Sequence, residues 1–243
     1  MTSTRFRDKV LLATGGGSGL AAAACRRFAA QGGRVAVLDL DGARAEAVAA
    51  ELAGSVGIAC DVADESSVGQ AVGEAHDRLG QIDCVLNSAG IVHFAPIEEL
   101  SLSDWNRMLA VHLTGTFLIC KATLPHLRAA GGGSIVNVAS VTALVARANL
   151  AAYSAAKGGI IAFSRQLALD AGADNVRVNV IAPGSVRTPM TQPVYQEATL
   201  PHSIQARLAE PEEIAATVCF LLSDDASFFT GALLVPDGGA TAL

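Results

Sequence analysis

The chain is poor in charge. Only 16% of its 243 residues are Asp, Glu, Lys or Arg, the net charge is −6, and no basic run occurs. A chain without a basic patch has little to hold phosphate backbones or anionic headgroups, so neither nucleic acid nor a membrane is an expected partner. The five cysteines (Cys25, Cys60, Cys84, Cys120 and Cys219) are scattered and include no Cys-x-x-Cys pair. An odd, dispersed set reads as buried free thiols in a reducing compartment, so a cytoplasmic location is expected. No His, Cys and Asp cluster has metal-ligand spacing, and no metal is expected. Ahead of the first glycine-rich turn there is only a short apolar run, too short for a secretory h-region or a membrane span. Long linkers, repeats and low-complexity tracts are missing too, which leaves one domain over residues 1–243.

What is present is an apolar chain, 51% hydrophobic, that alternates two kinds of segment. Short β-rich runs are predicted at Lys9–Thr14, Arg34–Asp39, Val56–Cys60, Ile82–Asn87, Ser134–Ala139, Val176–Ala182 and Ala232–Pro236. Ala-rich helical stretches are predicted near 18–31, 41–53, 64–79, 101–130, 151–172 and 211–223. Near-continuous Val, Ile, Leu and Ala in the strands suits strands covered on both faces. The fold class expected is α/β, a doubly wound parallel sheet with helices on both sides. The extended irregular segment, roughly 183–210, carries Pro183, Pro189, Pro193 and Pro201. A loop of that length is commonly functional, and a substrate lid is expected around 185–210. The 151–172 helix is apolar around most of its circumference, so a second subunit is expected on one side of it.

The first strand runs into Thr14-Gly15-Gly16-Gly17-Ser18-Gly19-Leu20. Glycines there permit a tight turn and close backbone approach to a phosphate, and the following helix offers N-terminal amides. The usual Gly-x-Gly-x-x-Gly spelling is not met, because Leu20 stands where the last glycine would fall. Asp39 ends the second strand, 24 residues beyond Gly15. That is close to the ~20 expected of a carboxylate that accepts from the adenosine ribose hydroxyls. The same residue could instead serve the turn into Asp41-Gly42. An acid there repels a 2′-phosphate. With Leu40 after it and Ser18 in the turn, no cation welcomes NADP, and NAD is the expected cofactor.

Tyr153 and Lys157 lie four residues apart, and Ser140 lies thirteen positions upstream of the tyrosine. On a helix, i and i+4 share a face. A lysine there favours the phenolate and is expected to lower a tyrosine pKa that is ordinarily about 10. Such a tyrosine exchanges a proton with an alcohol or ketone oxygen.

In this order and spacing, Thr14-Gly15-x-x-x-Gly19, Asp61-Val62, Asn87-Ser88-Ala89-Gly90, Ser140, Tyr153-x-x-x-Lys157, Pro183-Gly184-x-Val186-x-Thr188 and Pro236-Asp237-Gly238-Gly239 resemble the short-chain dehydrogenase/reductase family over nearly the whole chain. The resemblance implies a Rossmann-type sheet of about seven strands in a homo-oligomer, a tetramer or a dimer. It implies Tyr153 as general acid/base, Lys157 as the group that tunes it and binds the nicotinamide ribose, and Ser140 as the holder of the substrate oxygen. Asp61 would contact adenine beside Val62, and Asn87 would brace the sheet. Ala89 and Gly90 would approach the adenosine ribose. Pro183, Gly184, Val186 and Thr188 would line the nicotinamide side.

Two positions depart from the family pattern. Ala21 stands where a third glycine is usual, and one extra methyl in a close approach commonly costs ~1–3 kcal/mol. His112 stands where a catalytic asparagine is usual. A backbone role could survive that change. The imidazole could join a proton relay by titrating near its ordinary value of ~6.5, or be passive. The activity implied is reversible hydride transfer between a secondary alcohol and NAD, with a moderately apolar alcohol or ketone as the expected substrate. His93, Leu144, Val145, Asn149, Met190 and Tyr195 are expected to shape the substrate pocket. The alternatives are an NADPH-linked 3-oxoacyl-thioester reductase and a nucleotide-binding regulatory protein without turnover.

Overall fold

The computed structural model describes residues 4–192 and 203–242. Seven parallel strands form one sheet in the order β3-β2-β1-β4-β5-β6-β7. The strands are β1 (Val10–Thr14), β2 (Arg34–Asp39), β3 (Val56–Ala59), β4 (Cys84–Asn87), β5 (Gly133–Val138), β6 (Val176–Ile181) and β7 (Leu233–Leu234). The helices are α1 (Gly19–Ala30), α2 (Gly42–Ala50), α3 (Glu65–Leu79), α4 (Leu102–Leu109), α5 (Gly115–Ala129), α6 (Ala151–Ala171) and α7 (Pro211–Leu222). The chain starts at the centre of the sheet, winds outwards to β3, then returns to place β4 on the other side of β1. At that reversal the loops leave the carboxyl ends of β1 and β4 in opposite directions, and a crevice opens between them.

Strand residues alternate between two cores. Leu11, Ala13, Val35 and Val37 face α1, α2 and α7. Val10, Leu12, Ala36 and Leu38 face α3, α5 and α6. Both faces are covered, which is why the strands read as unbroken apolar runs. Side chains cap several helices. Asp41 accepts from the Ala43 and Arg44 amides, Asp64 from Ser67, and Ser101 from Asp104. Glu210 and Glu213 close a capping box on α7, with Pro211 at its first turn.

Several boundaries differ from the sequence reading, and three differences bear on the fold. β4 begins at Cys84 rather than Ile82, and just before it the Asp83 carboxylate accepts from the Val10 amide at 2.8 Å. β7 is two residues long, since the chain turns away into the Asp237–Gly239 corner, where Asp237 accepts from the Gly239 amide. The predicted 101–130 helix is interrupted by a π-helical turn at Ala110–Thr114. Leu102–Ala129 is long and apolar enough to cross a membrane by length and composition. In this fold Ile119, Cys120 and Leu127 are buried in the core against the sheet.

Candidate active site

Three glycines of the first turn each draw a different element inward. Gly15 has a φ of 66°, and a Cβ on it would sit 2.9 Å from the Ala89 Cα. Only glycine lets the β1 turn lie against the loop after β4. Thr14 secures the same junction, its hydroxyl oxygen accepting from the Ser88 and Ala89 amides at 3.1 and 3.2 Å. The Gly17 amide donates to Asp39 Oδ2 at 3.0 Å. Asp39 Oδ1 accepts from the Asp41 amide. Asp39 therefore serves the turn, and it also lines the cleft. Gly19, at a φ of 56°, packs beneath Thr188. Ser18 caps α1 in an extended conformation and makes no side-chain cap bond. The first amides of α1 thus lack a side-chain partner, as an anion-binding helix end requires.

These elements line one cleft of about 590 Å³, within the usual range for a small-ligand site. It runs from Asp39, Leu40 and Asp61 to Ser140, Tyr153, Lys157 and Met190. Every catalytic or cofactor residue named from the sequence lines it except Gly17 and Asn87. Gly17 stands behind the turn as the donor to Asp39. Asn87 is buried and donates to Asn137, which in turn donates to Ser164 on α6, both at 2.8 Å. It braces β4, β5 and α6 rather than facing the cleft. Of the expected substrate-pocket residues, Met190 lines the cleft, whereas His93, Leu144, Val145 and Asn149 do not. Tyr195 lies outside the described residues, as do residues 193–202 of the expected lid. Arg44, Ile91, Arg107, Ala110 and Val111 line the cleft and escaped the sequence reading. Val111 adjoins His112, and Arg107 sits one turn before it on the helical repeat, so that periodicity was the available signal.

At the far end the Lys157 side chain is 4% exposed, and its Nζ donates to the Val138 carbonyl at 2.7 Å. Nζ lies 5.6 Å from the centre of the Tyr153 ring, so the two share a helix face as the spacing requires. The electrostatic expectation is reversed. Burial lowers Lys157 to about 7 and raises Tyr153 above its ordinary value, while the hydrogen bond from Ser140 pulls Tyr153 back down. Two groups taken out of water both shift towards their neutral forms, and here that effect exceeds their attraction. Ser140 also accepts from the Thr142 amide at 3.3 Å, so it both caps its turn and meets the tyrosine.

His112 sits in the π-helical turn and is 1% exposed. Its Nε2 lies 2.8 Å from the Ile91 carbonyl oxygen, and its ring meets the Tyr153 ring edge-on at 5.2 Å. Burial, then the nearby Lys157 charge, push its pKa down to about 3. Of the two readings of His112, this shift favours an imidazole that stays neutral over one that titrates near 6.5.

The residues present fit a dinucleotide. Donors converge at the α1 end, a carboxylate faces the adenosine end, and a buried ammonium with three donors has one protein acceptor assigned among the described residues.

A family described as Enoyl-(Acyl carrier protein) reductase matches residues 15–241. The D-threitol dehydrogenase of Mycolicibacterium smegmatis is 44% identical, over 98% of this chain and 94% of its own length. The meso-2,3-butanediol dehydrogenase of Serratia marcescens is 41% identical, over 98% and 96%. The crystal structure of levodione reductase superposes with a TM-score of 0.93 at 35% identity, covering 98% of this chain and 99% of that one. The glycine turn, the Tyr153–Lys157 face and full-length similarity converge, and the chain belongs to the short-chain dehydrogenase/reductase family, as an oxidoreductase that works with a nicotinamide cofactor.

Proposed function

We propose that the chain is an NAD-dependent dehydrogenase that interconverts a small secondary alcohol and its ketone. The observation that carries this reading is the gathering of Ser140, Tyr153 and the buried Lys157 at one end of the same cleft that begins at Asp39. Ser140 holds the substrate oxygen. Tyr153 takes its proton in oxidation and returns it in reduction. Lys157 binds the nicotinamide ribose beside the phenol. When bound, the nicotinamide accepts or delivers the hydride. Asp39 selects NAD over NADP: its two oxygens are held by the Gly17 and Asp41 amides, so it stays facing the place where a 2′-phosphate would come. The cleft also supports the assignment of Gly15, Ser18, Gly19 and Leu20 to the pyrophosphate and of Asp61 and Val62 to adenine. Ala89, Gly90, Pro183, Gly184, Val186 and Thr188 are assigned to the riboses and carboxamide.

Relatives named for threitol and butanediol point to small hydroxylated alcohols as the first substrates to try. Met190, which lines the cleft, is assigned to the substrate side. The outward face of α6 is small and apolar, with Ala151, Ala155 and Ala162 exposed and Phe163 meeting Phe117 of α5 edge-on. A homodimer or homotetramer that covers this face, in the cytoplasm, is the assembly proposed.

Titration with NAD⁺ and NADP⁺, followed by an alcohol and ketone panel containing threitol and 2,3-butanediol, tests the proposal. Tighter NAD⁺ binding and NADH formation from secondary alcohols are expected. Reduction of 3-oxoacyl thioesters with NADPH in preference to every alcohol would overturn it in favour of the thioester reductase. Binding with no turnover of any compound would favour a regulatory protein.

A further inference from the structure

His112 is built into the site by four independent contacts. The π-helical turn widens the helix at Ala110–Thr114 and directs the imidazole at the loop after β4. There the ring lies flush against Gly90. A Cβ on that glycine would fall 2.4 Å from His112 Cε1, so residue 90 has no room for any side chain. Nε2 lies 2.8 Å from the Ile91 carbonyl oxygen and 3.2 Å from the Ile91 amide nitrogen. One ring nitrogen cannot serve both as donor and as acceptor. A bare Nε2 would set its lone pair against the carbonyl oxygen at the shorter distance, so the proton belongs on Nε2. Nδ1 is then left bare, and it is buried without a partner among the described residues. The ring edge meets Tyr153 at 5.2 Å with the two planes at 89°, a favourable geometry for aromatic rings. Below the ring, the Thr116 hydroxyl donates to the His112 carbonyl at 2.7 Å and ties the turn to α5.

We propose that His112 is a positioning residue: its imidazole, protonated at Nε2 and bare at Nδ1, fixes the Gly90–Ile91 turn and the edge of the Tyr153 ring relative to each other. The proposal rests on Tyr153 being the proton-exchanging group of the dehydrogenase. The ring contacts the tyrosine and the wall of the cofactor cleft at once. Losing its hydrogen bond should therefore loosen the hydroxyl that moves the proton more than it weakens cofactor binding. Lys157 and Tyr153 of α6 are the titratable groups facing it. The Gly90–Ile91 turn contributes none.

Imidazole ¹⁵N NMR of the whole protein tests the tautomer without turnover, with the His112 signals assigned by their loss in His112→Gln. A proton on Nε2 and no titration between pH 5 and 9 are expected. A proton on Nδ1, or a midpoint between 5 and 8, overturns the proposal. Kinetics test the positioning. His112→Phe keeps a ring but removes the donor, and should lower kcat by about tenfold or more while KM for NAD⁺ changes by less than about twofold. His112→Gln, which restores an N–H to the Ile91 carbonyl, should recover most of the loss. Full kcat in His112→Phe, or an equal fall in both variants, overturns the proposal. If the wild-type protein oxidises no alcohol, the dehydrogenase reading fails by itself, and the NMR still decides the state of His112.

Discussion

The two ends of the cleft are built on different principles. At the adenosine end the working groups are backbone amides and a partly exposed carboxylate. Gly15, Gly17 and Gly19 are placed by steric necessity, and Asp39 is held by two amides. Little charge is buried there, and sequence spacing translates almost directly into geometry. At the Tyr153 end the working groups are a phenol, an ammonium and an imidazole, with the ammonium and imidazole almost wholly out of water. There the spacing gives the geometry but not the sign. Burial drives Lys157 down to about 7 and His112 down to about 3, and it raises the tyrosine. In such surroundings desolvation can exceed the attraction between neighbours, a balance set by the packing of β5, α6 and the π-helical turn.

The largest expected effect removes the phenol. Tyr153→Phe keeps the ring against His112 and deletes only the hydroxyl that meets Ser140. Single-turnover hydride transfer should fall by about 10²–10⁴-fold, the usual worth of a general acid/base, with NAD⁺ binding nearly unchanged. A near wild-type rate would remove Tyr153 from the reaction and leave the adenosine end as the only functional half.

The next effect separates catalysis from stability. Lys157 is a lysine whose folded value, about 7, lies below the ordinary 10.5. Between those values the unfolded chain binds more protons than the folded one, so stability should rise with pH from about 7 towards 10.5. Below about 7 the cost of burying the charged amine is present in full. Lys157→Met should abolish most turnover, flatten that pH dependence and raise the thermal midpoint at pH 6–7. Chemical denaturation across this pH window checks the sign. A stability that falls as pH rises would mean that the ammonium gains more from its partners than it loses by burial.

The same contrast explains how much was legible beforehand. The alternation of apolar runs with Ala-rich stretches fixed seven strand positions to within two residues at most boundaries, because both sheet faces are covered and every strand must be apolar throughout. The glycine turn, Asp39 and the Tyr153–Lys157 face were legible because backbone sterics and helical period act locally. Asn87 was legible as a brace but not as a residue turned away from the cleft, since the side of a strand it faces depends on the Asn137–Ser164 chain across β5 and α6. The π-helical turn left no mark that periodicity could read, and without it the contact of His112 with Gly90 and Tyr153 could not be foreseen. His93, Leu144, Val145 and Asn149 lie in loops, outside every helix and strand. Loop paths, which no local rule fixes, carry them off the cleft wall.

The smallest effect returns to the adenosine end. Ala21 is 2% exposed, lines the cleft, and lies in the first turn of α1, packed among the residues that bury this helix. If the adenosine end is governed by steric fit, its methyl stands where a dinucleotide approaches most closely. Ala21→Gly should then tighten NAD⁺ binding by a few-fold, up to about tenfold, in line with the ~1–3 kcal/mol that an extra methyl commonly costs. Glycine also costs a helix about 1 kcal/mol relative to alanine, so the thermal midpoint of the free protein should drop. Affinity and stability are thus expected to move in opposite directions, measured by calorimetric NAD⁺ titration and thermal unfolding of the same variant. A loss of both would show that the methyl is structural packing for α1 and α7 alone. The steric rule at this end would then stop at Gly19.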